Sequence, residues 1–225
     1  MWVKICGITN LEDAFCATEA RADAIGFVFY QNSPRYISPE KAHEIVQKLP
    51  FDICKIGLFV NASAEEINTI ANTSGIDRAQ IHFEVNEDFL KALKVPYMRV
   101  IRAQTPKDII QNQGTVRLVD AYVKSFGGAG KRLDLSWFDK ADRNNIILAG
   151  GLTPSSLDEV KSLGFYGVDV SSGVEKSQGI KDHDLVRAFV QKAKAGERSI
   201  HLSKKYPKNL FFTKNFLQKY ILLKI

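Results

Sequence analysis

Trp2-Val3-Lys4-Ile5-Cys6-Gly7-Ile8-Thr9 opens the chain with a strand that runs straight into polar chemistry. Trp2, Lys4 and Cys6 share one parity, so they face one side of the strand while Val3 and Ile5 face the other. Gly7 frees the backbone at the strand's end, and Thr9 with Glu12 has the spacing of a capping box that starts a helix. A thiol at the carboxyl end of a strand, just before a helix, is a candidate acid, base or nucleophile. The plainer role of a free cysteine is that of a small buried core residue.

Working outward, the same strand-then-helix unit recurs along the chain. Short apolar runs mark strands at Val3–Cys6, Ala24–Phe29, Ile53–Phe59, Ala79–His82, Tyr97–Arg102, Val116–Asp120, Ile146–Ala149 and Gly167–Val170. Capped helices lie between them. Ser38-Pro39, Thr105-Pro106 and Thr153-Pro154 each place a cap before a proline, and Ser63 with Glu66 repeats the capping-box spacing. A last helix is expected from about Asp182 to Lys194. Eight such units predict an α/β chain folded as a (β/α)8 TIM barrel over residues 1–195. A doubly wound open sheet would carry a Gly-rich fingerprint after its first strand, and Gly7-Ile8-Thr9 is not one.

The chain of 225 residues has a formal net charge of +6. That excess lies in residues 196–225, where seven basic residues face one acidic residue, so the barrel body offers no electrostatic footprint for nucleic acid. This basic extension reads as a linker around Lys204–Lys208, then an amphipathic stripe of Phe212, Phe216, Tyr220 and Leu223. The stripe fits packing on the barrel, lying on an anionic membrane, or a disordered extension. Cys6, Cys16 and Cys54 show no paired spacing and the four histidines are scattered, so neither a disulfide framework nor a metal site is expected. No signal peptide and no membrane span are read, and the expectation is a cytoplasmic monomer or homodimer.

In a barrel of this kind the site gathers where the strands end. Gly150-Gly151 after strand seven and Ser171-Ser172-Gly173 after strand eight suit a phosphate, since glycine lets backbone N–H groups approach an anion closely. Ordinary tight turns would look the same. Arg35, in the turn-rich loop after strand two, is either a planar clamp for a carboxylate or a solvated loop residue. Gly127-Gly128-Ala129-Gly130 reads as a hinged flap that carries Asp134 to the site, although Asp134 also suits a helix start near Ser136. His82 fits a satisfied barrel histidine.

Lys4-Ile5-Cys6-Gly7-Ile8-Thr9, Gly26-Phe27 with Ser33-Pro34-Arg35, Gly127 to Lys131, Leu148 to Leu152 with Pro154, and Asp169 to Glu175 together resemble phosphoribosylanthranilate isomerases over about residues 2–195. The resemblance implies a cofactor-free, metal-free Amadori rearrangement of a small phosphorylated substrate in tryptophan biosynthesis. It implies Asp134 as acid and Cys6 as base. It places phosphate at Gly150, Gly151, Ser172 and Gly173, the anthranilate carboxylate at Arg35, and Asp169 nearby. Two positions depart from the family pattern: Phe83 stands where glycine is usual, and Leu135 where tryptophan is usual. Phe83 is expected to crowd the rim and Leu135 to change how the flap seats. A related histidine-pathway isomerase would carry aspartate in place of Cys6. A barrel turned to binding or scaffolding would have no use for both an acid and a base.

Overall fold

A computed structural model describes residues 1–50, 52–111, 113–121 and 132–195. The expected flap around Gly127–Gly130 and the basic extension 196–225 lie outside the described residues. Eight parallel strands close into a barrel: β1 (Trp2–Cys6), β2 (Ala24–Val28), β3 (Cys54–Phe59), β4 (Arg78–Ile81), β5 (Tyr97–Ala103), β6 (Arg117–Ala121), β7 (Ile146–Leu148) and β8 (Gly167–Val170). The expected TIM barrel is therefore what forms, with each strand within a residue or two of its place in the sequence. The strands are short and β2 is buried throughout, as parallel strands covered on both faces must be.

Register decides which residues share the barrel interior. Lys4 lies opposite Ala24 on one side and Asp169 on the other, and Cys6 opposite Gly26. Gln80 is opposite Met98, Arg102 opposite Asp120, and Leu118 opposite Ile147. The lower part of this interior is an apolar plug of Ala24, Ile56, Met98, Leu118, Ile147 and Ala149. A second, larger core fills the space between strands and helices, with Val3, Ile5, Ile25, Phe27, Phe138 and Phe189 among its members. The two cores are the two faces of one sheet, separated by the period-two alternation of each strand.

Helix starts follow local capping chemistry. α1 (Leu11–Glu19) is capped by Asn10, whose side chain accepts from the Asp13 N–H at 2.8 Å. The expected Thr9–Glu12 box does not form, because the Asn10 amide oxygen supplies that acceptor one residue later; Thr9 Oγ1 instead donates to the Gly179 carbonyl at 2.5 Å. Ser38 caps α2 (Pro39–Val46) and Ser63 caps α3 (Ala64–Ser74), as expected. α4 (Glu87–Ala92) follows an asparagine cap, and α5 (Pro106–Ile109) a full Thr105–Asp108 box. Thr153-Pro154 starts a single 3-10 turn that leads into α6 (Leu157–Lys161). α7 (His183–Lys194) ends the described chain.

The sequence reading missed a small hairpin after β8, formed by β9 (Glu175–Ser177) and β10 (Ile180–Lys181), with Gly179 in the left-handed region at φ 80°. It is stitched to the first helix. The buried Asp13 carboxylate accepts from the Lys181 N–H at 2.8 Å and contacts His183 Nε2 at 2.9 Å. The last strand's excursion is thereby tied to the first strand's helix.

Candidate active site

Above the apolar plug, the strands' carboxyl ends carry a ring of polar groups. Lys4 is fully buried and its Nζ lies 3.0 Å from Asp169 Oδ1. Burial works against this ammonium, but Asp169 and Cys6 outweigh it and its pKa is raised. Cys6 sits one step higher on β1. Gly26 next door admits it, since a Cβ there would stand 2.7 Å from Cys6 Sγ and 3.1 Å from Lys4 Nζ. Burial pushes the Cys6 thiol up, Lys4 pulls it down, and Asp169 pushes it up again; the net shift is upward. Lys4 therefore favours the thiolate, as a buried cation beneath a thiol must, but burial is the larger effect.

Across the ring stand His82, just past β4, Arg102 on β5 and Asp120 on β6. The Asp120 side chain is 18% exposed. Burial raises its pKa to about 6, with the Asp169 charge adding to the rise and the Ala121 N–H, Arg102 and Lys4 opposing it. Asp120 Oδ2 is 3.9 Å from His82 Nε2. Burial, with Arg102 and Lys4, drives His82 down to about 3, so this imidazole is neutral at physiological pH and the contact is polar, not an ion pair. The buried Gln80 side-chain oxygen makes no hydrogen bond among the described residues.

Asp134 does not join this ring. It is exposed and caps a 3-10 turn, Leu135–Phe138, by accepting from the Ser136 N–H at 2.9 Å. That hydrogen bond holds its carboxyl below the ordinary value. A group so placed is ionised at neutral pH and has no proton to give. The residue to which the resemblance gives the acid role thus does the helix-starting job that its sequence context also allows. Asp120, unlike Asp134, stands in the ring with its pKa raised. Its position was legible in the sequence, where the sixth apolar run ends on Asp120 as the first ends on Cys6.

Arg35 reaches the mouth beside Cys6. Gly7, at φ 78°, makes room for it: a Cβ there would meet Arg35 Cδ at 2.7 Å and Ser171 Oγ at 2.9 Å. Ser171 Oγ is buried and makes no hydrogen bond among the described residues. The arginine is not solvated. One edge of its fork is held by Glu175, Nε to Oε1 at 2.8 Å and Nη2 to Oε2 at 2.7 Å. Lys181 Nζ contacts the same carboxylate at 2.9 Å and the Ser171 carbonyl at 3.3 Å. Glu175 and Lys181 were not foreseen as site residues, because the hairpin that presents them was not.

The two glycine turns do meet. Gly150 and Gly151 are both left-handed, at φ 91° and 60°. A Cβ on Gly173 would lie 1.8 Å from the Leu152 carbonyl oxygen, so the turns after β7 and β8 pack backbone against backbone. Ser172 and Gly173 open a short 3-10 turn there. Asp169 lies below, paired with Lys4. Phe83 does not crowd the mouth; it packs edge-on against Phe89 of α4, ring centroids 5.6 Å apart, and against the outer core. Leu135 also packs against the outer core. Among the described residues no group of His, Cys, Asp and Glu could hold a metal ion, and no helix is long and apolar enough to cross a membrane.

Residues 3–192 match the family described as N-(5'phosphoribosyl)anthranilate (PRA) isomerase. The N-(5'-phosphoribosyl)anthranilate isomerase of Sulfurovum sp. (strain NBC37-1) is 53% identical over 195 residues, covering 87% of this chain and 100% of its own. The phosphoribosyl anthranilate isomerase crystal structure from Thermotoga maritima is similar at a TM-score of 0.80 and 36% identity, covering 86% of this chain and 98% of that one. A further crystal structure, of the isomerase in complex with reduced 1-(o-carboxyphenylamino)-1-deoxyribulose 5-phosphate, is similar at a TM-score of 0.74 and 34% identity, with the same coverage.

Proposed function

The chain belongs to the N-(5'-phosphoribosyl)anthranilate isomerase family, and from that premise we propose that its polar ring divides the reaction between Asp120 and Cys6. The reaction turns N-(5'-phosphoribosyl)anthranilate into 1-(2-carboxyphenylamino)-1-deoxyribulose 5-phosphate, a step of tryptophan biosynthesis. Asp120 gives its proton to the furanose ring oxygen as the bond from that oxygen to C1′ breaks, leaving a protonated imine. The Cys6 thiolate then takes the proton from C2′, giving an enolamine that tautomerises to the ketone. Gly150, Gly151, Ser172 and Gly173 hold the phosphate through backbone N–H groups, and Arg35 holds the anthranilate carboxylate. Asp169 keeps Lys4 charged beneath the thiol.

The observation that carries this reading is the raised pKa of Asp120, about 6, in the same ring as Cys6. It also sets the pH profile. Below about pH 6 Asp120 is already protonated, so each rise in pH adds thiolate and activity. Above about 6 the gain in thiolate is cancelled by loss of protonated Asp120, and kcat/KM levels off until the thiol itself titrates. Asp120→Asn should lower kcat/KM by about 100-fold to 10,000-fold, the range for a lost general acid, while Asp134→Asn should change it by less than about tenfold. Steady-state fluorescence assays of both variants against pH test the assignment. A large loss in Asp134→Asn with little in Asp120→Asn would return the acid role to Asp134.

A further inference from the structure

We propose that Lys181 is a charge-balancing residue for the carboxylate end of the site: it neutralises Glu175, so that Glu175 orients the Arg35 fork without cancelling its charge. This rests on the reading of Arg35 as the carboxylate clamp. A bidentate arginine–carboxylate pair is geometrically strong but electrically neutral. Arg35 and Glu175 form such a pair, with distances of 2.7 and 2.8 Å. A neutral pair has little attraction left for a second carboxylate. The third member changes the sum. Lys181 Nζ contacts Glu175 Oε1, the same oxygen that receives Arg35 Nε. Two cations and one anion leave the cluster at +1, and Arg35 is the member beside Cys6 and the mouth.

The cluster is largely buried, which makes its charge count. Lys181 is fully buried, Arg35 is 7% exposed, and the Glu175 side chain is 5% exposed. Screening is weak in such a place, and a net charge acts on a neighbouring anion with more force than at a surface. The Arg35 Nη1 group makes no hydrogen bond among the described residues, so donors remain on the guanidinium once Glu175 is satisfied. The hairpin supplies both balancing residues, since Lys181 and Glu175 are register partners. Asp13 fixes the Lys181 backbone, not its ammonium, by accepting its N–H at 2.8 Å. Lys181 also pulls the Cys6 thiol toward its ionised form, by less than burial, Lys4 or Asp169 shift it.

A buried lysine that merely ties the hairpin down would make the same contacts. A cycle of charge changes separates the two roles. Lys181→Met leaves the neutral Arg35–Glu175 pair; Glu175→Gln with Lys181→Met restores +1 with Arg35 alone. Calorimetry uses two probes, inorganic phosphate and reduced 1-(o-carboxyphenylamino)-1-deoxyribulose 5-phosphate, on the full-length protein. Lys181→Met should weaken the second probe about tenfold, leave phosphate within about twofold, and raise KM more than it lowers kcat. The double variant should recover binding to within about threefold of the parent, and Lys181→Arg should bind like the parent. A double variant as weak as Lys181→Met overturns the proposal, as does equal weakening of both probes. Should Lys181→Met not fold, the double variant decides alone: binding within about threefold supports the proposal, and a larger loss overturns it. Arg35→Met checks the clamp separately. If that variant keeps its affinity for the carboxylate-bearing probe, the clamp reading fails; if it loses affinity while Lys181→Met does not, only the balancing role fails.

Discussion

Leu118 and Asp120 lie two residues apart on β6 and face the same interior. Leu118 is sealed in the apolar plug with Ile56, Met98 and Ile147. Asp120 stands in the ring with Lys4, Cys6, His82 and Asp169, its pKa shifted by burial and by its neighbours. One strand thus carries a stabilising residue and a destabilising one on the same face. Burial of an apolar side chain releases water and contributes roughly 1.5–3 kcal/mol. Burial of a carboxylate costs free energy unless it is paired or protonated. The barrel's lower half holds the strands in place, and its upper half uses that rigidity to keep shifted groups within reach of one another.

The largest expected effect is on the upper half. Cys6→Ala should lower kcat/KM by about 100-fold to 10,000-fold, as expected for a lost general base, while the unfolding midpoint stays within a few degrees. Cys6 is small and the substitution removes one sulfur, so the barrel has little to rearrange. If alanine at this position unfolded the protein and left turnover intact in the folded fraction, the thiol would be a core residue and not the base.

Next in size is a cut in the lower half. Ile56 is 1% exposed, on a strand that supplies none of the proposed acid, base or anion-binding residues. Ile56→Ala should destabilise by about 2–5 kcal/mol through lost burial and a residual cavity. Activity per folded molecule should stay within about threefold. Urea unfolding and an assay at a temperature where both proteins are folded measure the two quantities. A loss of activity as large as that of Cys6→Ala without a loss of stability would erase the division between the two halves.

The same division explains what the sequence shows and what it hides. Periodicity and caps expose the strands because each apolar run is a direct consequence of burial on both faces. Cys6 is visible because it ends a strand whose parity can be read from Trp2 and Lys4. Asp120 ends an apolar run in the same way, but the resemblance gave the acid role to Asp134, after the glycine-rich loop. Only three-dimensional placement separates a buried carboxylate from an exposed helix cap. Asn10 displaced Thr9 as the first cap for a similar reason: two acceptors stand side by side, and helix geometry chooses between them. Glu175 and Lys181 were hidden more deeply. Their hairpin has strands of three and two residues, too short for any period to show, and their importance lies in the contact of Glu175 to Arg35, far away in the sequence, and of Lys181 to Glu175.

The smallest predicted effect is the most particular to the ring. Asp120 titrates at about 6 in the folded chain, against about 3.9 for an unfolded aspartate. The folded state therefore holds this proton more tightly, and its stability falls as pH rises from below 4 through 6, then stays flat. Asparagine has no proton to lose. Asp120→Asn should therefore unfold almost like the parent at low pH and become the more stable protein as pH rises. The advantage should grow by about 2 kcal/mol between pH 4.5 and pH 8. Denaturant unfolding of both proteins at the two pH values reads this directly. A gap that stayed constant across that range would mean that Asp120 titrates normally, and the proposed acid would lose the property that suits it to that role. A gap that opens, in a variant that has also lost turnover, would show that the carboxylate is kept at the ring at a cost to the fold, because the reaction needs a proton there.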